Sequence, residues 1–366
     1  MDTYGDNLGE AFVANSLQKY YENSVQPEIT NNDYESLVNV GGVDRASILT
    51  FGDITINTYT GADETVEEPD ESEGQLILDQ KKDFYFKINS LLKFESYVND
   101  PASQFMARAN QQLKQTIDGF ILGLYADAGS GNRVGINYTT GTVTVTVTTG
   151  ECVGVGTVWT SAMAGLGFLA TGHTKWYRIV AHATHAISST SMYIQNDSDD
   201  DTSSYDGGAI AGAAYTIEAA AVKTVTVENI LDTIDALSER LDENEIPKDN
   251  RWIVVNAKVA HLIRRSEGYT PAVESAYSEV VKKGLIGMIS GFMVYQNEQV
   301  SGNNTTGYYI MAGHKSAITF ALSFKENGVE DLIGNFGKAY KQLMVYGGKV
   351  LDERRKALAY AWVKVG

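Results

Sequence analysis

The chain has 366 residues, 43% of them hydrophobic, enough for two or three compact units with real cores; this excludes a disordered tail or a disulfide-stapled miniature. Lys and Arg total 29 against 46 Asp and Glu, a formal charge of −17 that repels phosphate and excludes a dedicated nucleic-acid reader. The single cysteine, Cys152, excludes an intrachain disulfide and a thiolate metal cluster, and reads as a small buried hydrophobe.

The opening Met1-Asp2-Thr3-Tyr4-Gly5-Asp6 has neither a basic nor an apolar leader region, and no run of about 18 apolar residues follows, so a soluble intracellular product is expected. From Asn7 to about Val25, Leu8, Phe12, Leu17, Tyr20 and Tyr21 fall on one face of a short helix, with Asn7 as its N-cap and Pro27 as its stop. Its apolar surface is too small for a core, so it reads as an arm that packs on something else, such as a neighbouring subunit.

Ile54 to Tyr59 alternates like a strand, and Leu76 to Ile88 reads as its partner in a long hairpin. The tip, Gly61 to Gly74, carries Asp63, Glu64, Glu67, Glu68, Asp70, Glu71 and Glu73 with no basic residue, so it is solvated or meets a basic partner. The ligand spacing of a calcium loop is missing there, and no metal is assigned. Asp100-Pro101 then starts the longest helix, carried to about Asp127 by Phe105, Met106, Ala109, Leu113, Ile117, Ile121 and Leu124. At about 1.5 Å per residue it spans close to about 40 Å and reads as a structural spine.

After Gly129-Ser130-Gly131 the chain turns rich in Thr, Ser, Gly and Ala. Alternation at Thr142 to Thr148, Trp176 to Val180 and Met192 to Gln195 predicts an inserted all-β domain over 131–222, with Asp197, Asp199, Asp200 and Asp201 at an exposed loop tip. Helical periodicity returns at Val227, Ile230, Leu231, Ile234, Leu237 and Leu241. A buried strand Trp252 to Val255, a helix Ala257 to Arg265, a helix at Pro271, strands around Tyr308 to Met311, and two last strands, Gln342 to Val350 and Lys356 to Val365, complete the chain.

The motifs of chemistry are absent: no nucleophile elbow, Walker loop or zinc-protease signature occurs. Gly284, Gly287 and Gly291 do not follow a dinucleotide fingerprint and read as small residues at a crowded packing site. His182 and His185 are the only histidine pair at metal-like spacing, but on a strand residues three apart face opposite ways. No catalytic, cofactor or metal residue is assigned. By elimination the pattern of arm, charged hairpin, spine helix and β module suits an assembly protein.

Four passages carry a resemblance: Leu8 to Val25; Ile54 to Asp127; Leu241-Asp242-Glu243-Asn244 through Pro247, Arg251-Trp252 and Val254-Val255; and Gly287 to Gln296 with Val345-Tyr346-Gly347. In this order the chain resembles the major capsid (coat) proteins of tailed double-stranded DNA phages, the HK-ninety-seven type shell fold. That resemblance implies an α+β fold with an axial domain, a peripheral domain built on the spine helix, an extended β-hairpin loop over the adjacent subunit and an N-terminal arm. The stretches Val153 to Thr160, Trp176 to Val180 and Ala213 to Ile217 resemble a small β module of phage virion proteins, a match departed from at Gly165 to Gly167 and Gly172-His173.

The division this implies is an arm and lead-in over 1–50, the extended loop over 51–90, the spine helix over 91–130, the inserted β domain over 131–222 and the remaining axial and peripheral parts over 223–366. The implied function is a non-enzymatic shell subunit that forms hexamers and pentamers of an icosahedral head. It is assembled in the host cytoplasm, ends in the virion and encloses double-stranded DNA without sequence-specific binding. A scaffolding protein, the portal and decoration proteins are the implied partners, with no membrane and no cofactor. The loop tip lacks a Lys, so covalent crosslinking is not expected. Candidate inter-subunit contacts are Phe12, Tyr20 and Tyr21 on the arm, Glu67, Glu68, Asp70 and Glu71 on the tip, and Arg354 and Arg355 as electrostatic partners. An encapsulin-like nanocompartment shell, a tail or decoration protein, and a metal-dependent hydrolase using His182 and His185 stay open as alternatives.

Overall fold

The long helix begins at Pro101, whose fixed φ and missing N–H suit a first helical position, and runs to Gly123; Leu124–Asp127 then tightens into a 3-10 turn. Helix and expected spine therefore coincide in this computed structural model, which describes residues 24–33, 45–51, 71–89, 101–147, 149–181, 186–197, 205–266, 285–332 and 336–366. Its buried stripe is Ile117, Asp118, Ile121 and Leu122, one face of a 3.6-residue repeat interrupted by a carboxylate.

Contacts divide the chain into two units: residues 1–18, 31–109 and 319–351 in one, and 19–30, 110–318 and 352–366 in the other. In the first, Arg45–Phe51 pairs antiparallel with Glu71–Ile77, Arg45 opposite Ile77 and Phe51 opposite Glu71. The strand expected at Ile54 to Tyr59 lies outside the described residues.

The single partner strand expected over Leu76 to Ile88 is in fact two. Buried Leu76 and Leu78 close the first, and the polar run Asp79 to Asp83 ends the apolar alternation. Gln80–Asn89 then joins another sheet, whose order is Ile318–Asp331, Gly337–Val350, Gln80–Asn89. Pairing of the last two runs from Gly337 opposite Asn89 to Tyr346 opposite Gln80. Phe86 stacks on Tyr340 at 5.3 Å and packs on Phe105 at 5.9 Å. Ile48, Leu76, Leu78, Ala321, Val345 and Leu351 form this unit's small core.

The second unit holds two large sheets. One has eight strands, six of them in the order Lys223–Val225, Leu358–Val365, Gly307–His314, Arg251–Val255, Phe292–Gln296, Leu285–Ile289, with Arg133–Val134 beside Leu358–Val365 and Gly302–Asn303 beside Gly307–His314. Arg251–Val255 is buried at every position, as a central strand covered on both faces must be. The helices Ile230–Glu243 and Ala257–Arg265 lay Ile234, Leu237, Leu241, Val259 and Ile263 against Ile253, Ile310, Ala361 and Val363. Asn256 caps the second helix by accepting the Val259 N–H at 3.1 Å.

The other sheet is built entirely from residues between Ile136 and Ala221, in the order Ile210–Ala213, Thr142–Val145, Glu151–Val155, Ser191–Asn196, Tyr177–Val180, Gly167–Ala170, Tyr215–Ala221, Ile136–Tyr138. Thr142–Val145, Glu151–Val155 and Tyr177–Val180 bury alternate residues, and Val143, Val145, Cys152, Phe168, Ile179, Met192 and Ile217 form a core of their own. Trp159 donates its indole N–H to the Tyr215 hydroxyl at 2.7 Å inside it.

Pro27 stands in the first turn of Gln26–Ile29, where no intrahelical N–H is needed, and the arm helix expected before it lies outside the described residues. Two local expectations change. Gly291 is not crowded: a Cβ there would meet nothing within 4 Å. Ser290 (φ 49°) and Gly291 (φ 85°) are the two central residues of the hairpin turn before Phe292, and such a turn needs positive φ at both. Asp197 is not at an exposed tip but part-buried, for reasons given next. Gly284, the Pro271 helix and the arm before Ser24 lie outside the described residues.

Candidate functional site

Among the described residues, the densest group of buried charge lies in the second unit, where the chain leaves the long helix and enters the sheet built from residues 136–221. Glu218 sits in the strand Tyr215–Ala221 among Ile217, Ala219 and Ala220, a lone carboxylate in an apolar run. Its Oε2 accepts the Gly131 N–H at 2.8 Å and the Arg133 N–H at 3.3 Å, and its Oε1 accepts the Gly167 N–H at 3.1 Å. The Arg133 Nε stands 3.6 Å from Oε1, with both side chains 2% exposed. Burial pushes the Glu218 carboxyl up to about 7, against the opposing pull of Arg133 and the amides.

Arg133 completes the junction through its other nitrogens. Nη2 donates to the Ala128 carbonyl at 3.0 Å and Nη1 donates to the Gly165 carbonyl, so one guanidinium ties the end of the long helix to a turn of the sheet. The backbone of Arg133 pairs parallel with Tyr360 in the sheet that contains Arg251–Val255, and its guanidinium lies 5.9 Å from the Tyr360 ring. Gly131 is required here: φ is +96°, and a Cβ would come within 2.8 Å of the Trp176 indole.

Beside it lies a second pair. Arg355 is 3% exposed, with Nη2 3.4 Å from Asp197 and Nη1 3.6 Å from Asp352. Asp197 also accepts the Ser130 N–H, which draws it in from the acidic run that follows. The Asn132 amide donates to the carbonyls of Lys356 at 2.9 Å and Leu358 at 3.0 Å, and its oxygen accepts from Asn244 at 2.6 Å. The four charged side chains thus point at backbone of their own chain and at each other. Such an arrangement fixes structure; it leaves no ionised group poised toward a substrate.

Of the expected contact residues, Phe12, Tyr20, Tyr21, Glu67, Glu68 and Asp70 lie outside the described residues, as do His182 and His185. Glu71 opens its strand opposite Phe51. Arg354 and Arg355 share the 3-10 turn Asp352–Ala357 but not one environment: Arg354 is half-buried and donates to the Ser316 carbonyl at 3.0 Å, whereas Arg355 is enclosed with carboxylates of its own chain. Among the described residues no three His, Cys, Asp or Glu side chains converge to hold a metal, and no helix is long and apolar enough to cross a membrane. Arg133 and Glu218 escaped sequence reading, although a single carboxylate inside Ile217-Glu218-Ala219-Ala220-Ala221 is the available signal.

No protein-family model matches the sequence, and no curated protein matches it. Solved structures do. A structure from Mycobacterium phage Che8 superposes with a TM-score of 0.57 at 16% identity, covering 96% of each chain. The capsid structure of the cyanophage P-SCSP1u gives 0.57 at 14% identity, covering 99% of this chain and 94% of that one. The asymmetric unit of the bacteriophage PhiM1 mature capsid gives 0.54 at 12% identity, covering 97% and 91%. Over nearly its whole length, the chain has the mixed α and β fold of phage capsid structures.

Proposed function

We propose that the protein is a major capsid protein, the structural subunit of a phage head. The observation that carries this reading is the near-complete coverage, in both directions, of capsid structures by this chain. The buried junction supports a structural role as well, because its carboxylates and guanidinium groups hold backbone.

On this reading copies of the chain form the hexamers and pentamers of an icosahedral shell, and no reaction is catalysed. Each contact between copies is modest, and closure comes from many of them. A charge of −17 suits a wall that encloses DNA without binding it tightly. Residues 131–222 are an inserted β domain, and the arm and the acidic loop reach neighbouring subunits. Scaffolding, portal and decoration proteins are its partners, the host cytoplasm is where it assembles and the virion is where it resides.

The test is negative-stain electron microscopy with light scattering on the recombinant chain, alone and co-expressed with its neighbouring genes. Hollow shells, tubes or capsomer-sized rings are expected. A strictly monomeric species under every condition, co-expression included, overturns the reading.

A further inference from the structure

One carboxylate holds the start of the described chain to the long helix. Asp118 is 1% exposed, on the stripe otherwise made of Ile117, Ile121 and Leu122. Each of its oxygens accepts two donors. Oδ1 takes the Ser24 hydroxyl at 2.7 Å and the Gln26 N–H at 3.2 Å; Oδ2 takes the Val25 N–H at 3.3 Å and the Asn297 amide at 2.9 Å. All four donors are neutral. Asn297 is itself fixed, since its N–H donates to the Val255 carbonyl at 3.0 Å and its side-chain oxygen accepts the Gln299 N–H at 2.7 Å.

An apolar residue would fill this helix stripe without the desolvation that a carboxylate incurs, and burial indeed pushes the Asp118 carboxyl above its ordinary range. What a leucine could not do is accept two successive backbone N–H groups of an incoming segment. Four donors meeting two oxygens leave that segment one position and one direction.

We propose that Asp118 is the positioning residue that latches Ser24, Val25 and Gln26 to the long helix, and that association with a second copy of this chain depends on that latch. The second half of that statement rests on the shell reading; the latch itself does not. Asp118→Asn is the sharpest perturbation. It keeps the shape but offers one acceptor oxygen, and its NH2 would meet the Val25 N–H or the Asn297 amide, donor against donor. Ser24→Ala removes one donor of the four and keeps the charge.

Hydrogen exchange on the full-length, unassembled chain reads the latch directly. In Asp118→Asn, amides of residues 24–30 are expected to exchange roughly tenfold faster or more, with the strands Arg251–Val255 and Gly307–His314 unchanged and Ser24→Ala showing a smaller rise in the same segment. Unchanged protection of residues 24–30, or equal loss of protection in the core strands, overturns the latch. Wild-type and variant chains are then compared for shell formation. Regular shells from wild type with reduced or malformed ones from Asp118→Asn support the positioning role, and equal shells overturn it. Wild type that never assembles overturns the shell reading and the partner named here, while the exchange result still decides the latch.

Discussion

Replacing Arg133 by Met removes the cation beside Glu218 and keeps most of the side-chain volume. Two costs follow. The carbonyls of Ala128 and Gly165 lose their donor in a buried place, worth about 2 kcal/mol together and independent of pH. The second cost depends on pH. The folded-state value of Glu218, about 7, lies above its ordinary 4.5, so the folded chain binds the extra proton. Wild-type stability from this group is therefore full below about 4.5 and falls as pH rises toward about 7. Without Arg133 the carboxyl stays protonated higher still, and the fall continues past that point. At about pH 5 both chains carry a protonated Glu218 and the deficit is about 2 kcal/mol; at about pH 8 it is larger, by about 1 kcal/mol for each tenfold rise in the proton affinity of the folded state. Denaturant unfolding at the two pH values, followed by the fluorescence of Trp159 and Trp176, measures both. A deficit equal at both, or larger at the acid one, refutes the ionised pair.

The junction makes further predictions. Asn132→Ala removes the side-chain donor to the Lys356 and Leu358 carbonyls and one of the two acceptors of the Asn244 amide, and is expected to lower stability by about 2 kcal/mol in the same unfolding assay. Gly131→Ala adds a positive-φ strain and a clash with Trp176, and is expected to cost more than about 2 kcal/mol; Gly291→Ala, with the same kind of φ and open space, is expected to cost about 1 kcal/mol. Cys152 is buried and its thiol is pushed well above the ordinary range, first by burial and then by Glu151, so a thiol reagent should leave the native chain unlabelled and label it fully in denaturant. Labelling of the native chain at the denatured rate contradicts the eight-stranded core as described.

What sequence could reveal here followed the range of the interaction. The helix Ala257–Arg265 and the strand Arg251–Val255 were legible because their apolar spacing is local and its period unambiguous. The strand Ile318–Asp331 was not: Ile318, Phe320 and Ala321 are buried, but its second half holds Lys325, Glu326, Asn327, Glu330 and Asp331 and leaves Phe324 and Val329 exposed, so no apolar alternation marks its length. The break at Asp79 could have been read from the polar run after Leu78, but the hydrophobic character of Phe84, Phe86 and Ile88 hid it. Glu218 and Arg133 are 85 positions apart, and no spacing rule joins them. Arg355 illustrates the same limit: two adjacent arginines look alike in sequence, and only the fold places one against Asp197 and leaves the other half-buried. Asp118 sat in plain view within a helical stripe, where one polar residue among apolar ones looks like an irregularity until its four donors are seen.

The central claim is that this chain builds a closed shell of many copies. Cryo-electron microscopy of particles purified from cells expressing it, alone or with its neighbouring genes, tests that most directly. Closed shells with capsomers at five-fold and quasi-six-fold positions are expected, each subunit fitted by the sheet around Arg251–Val255 and the long helix Pro101–Gly123. Particles in which another protein forms the wall and this chain is absent or merely attached outside would contradict it.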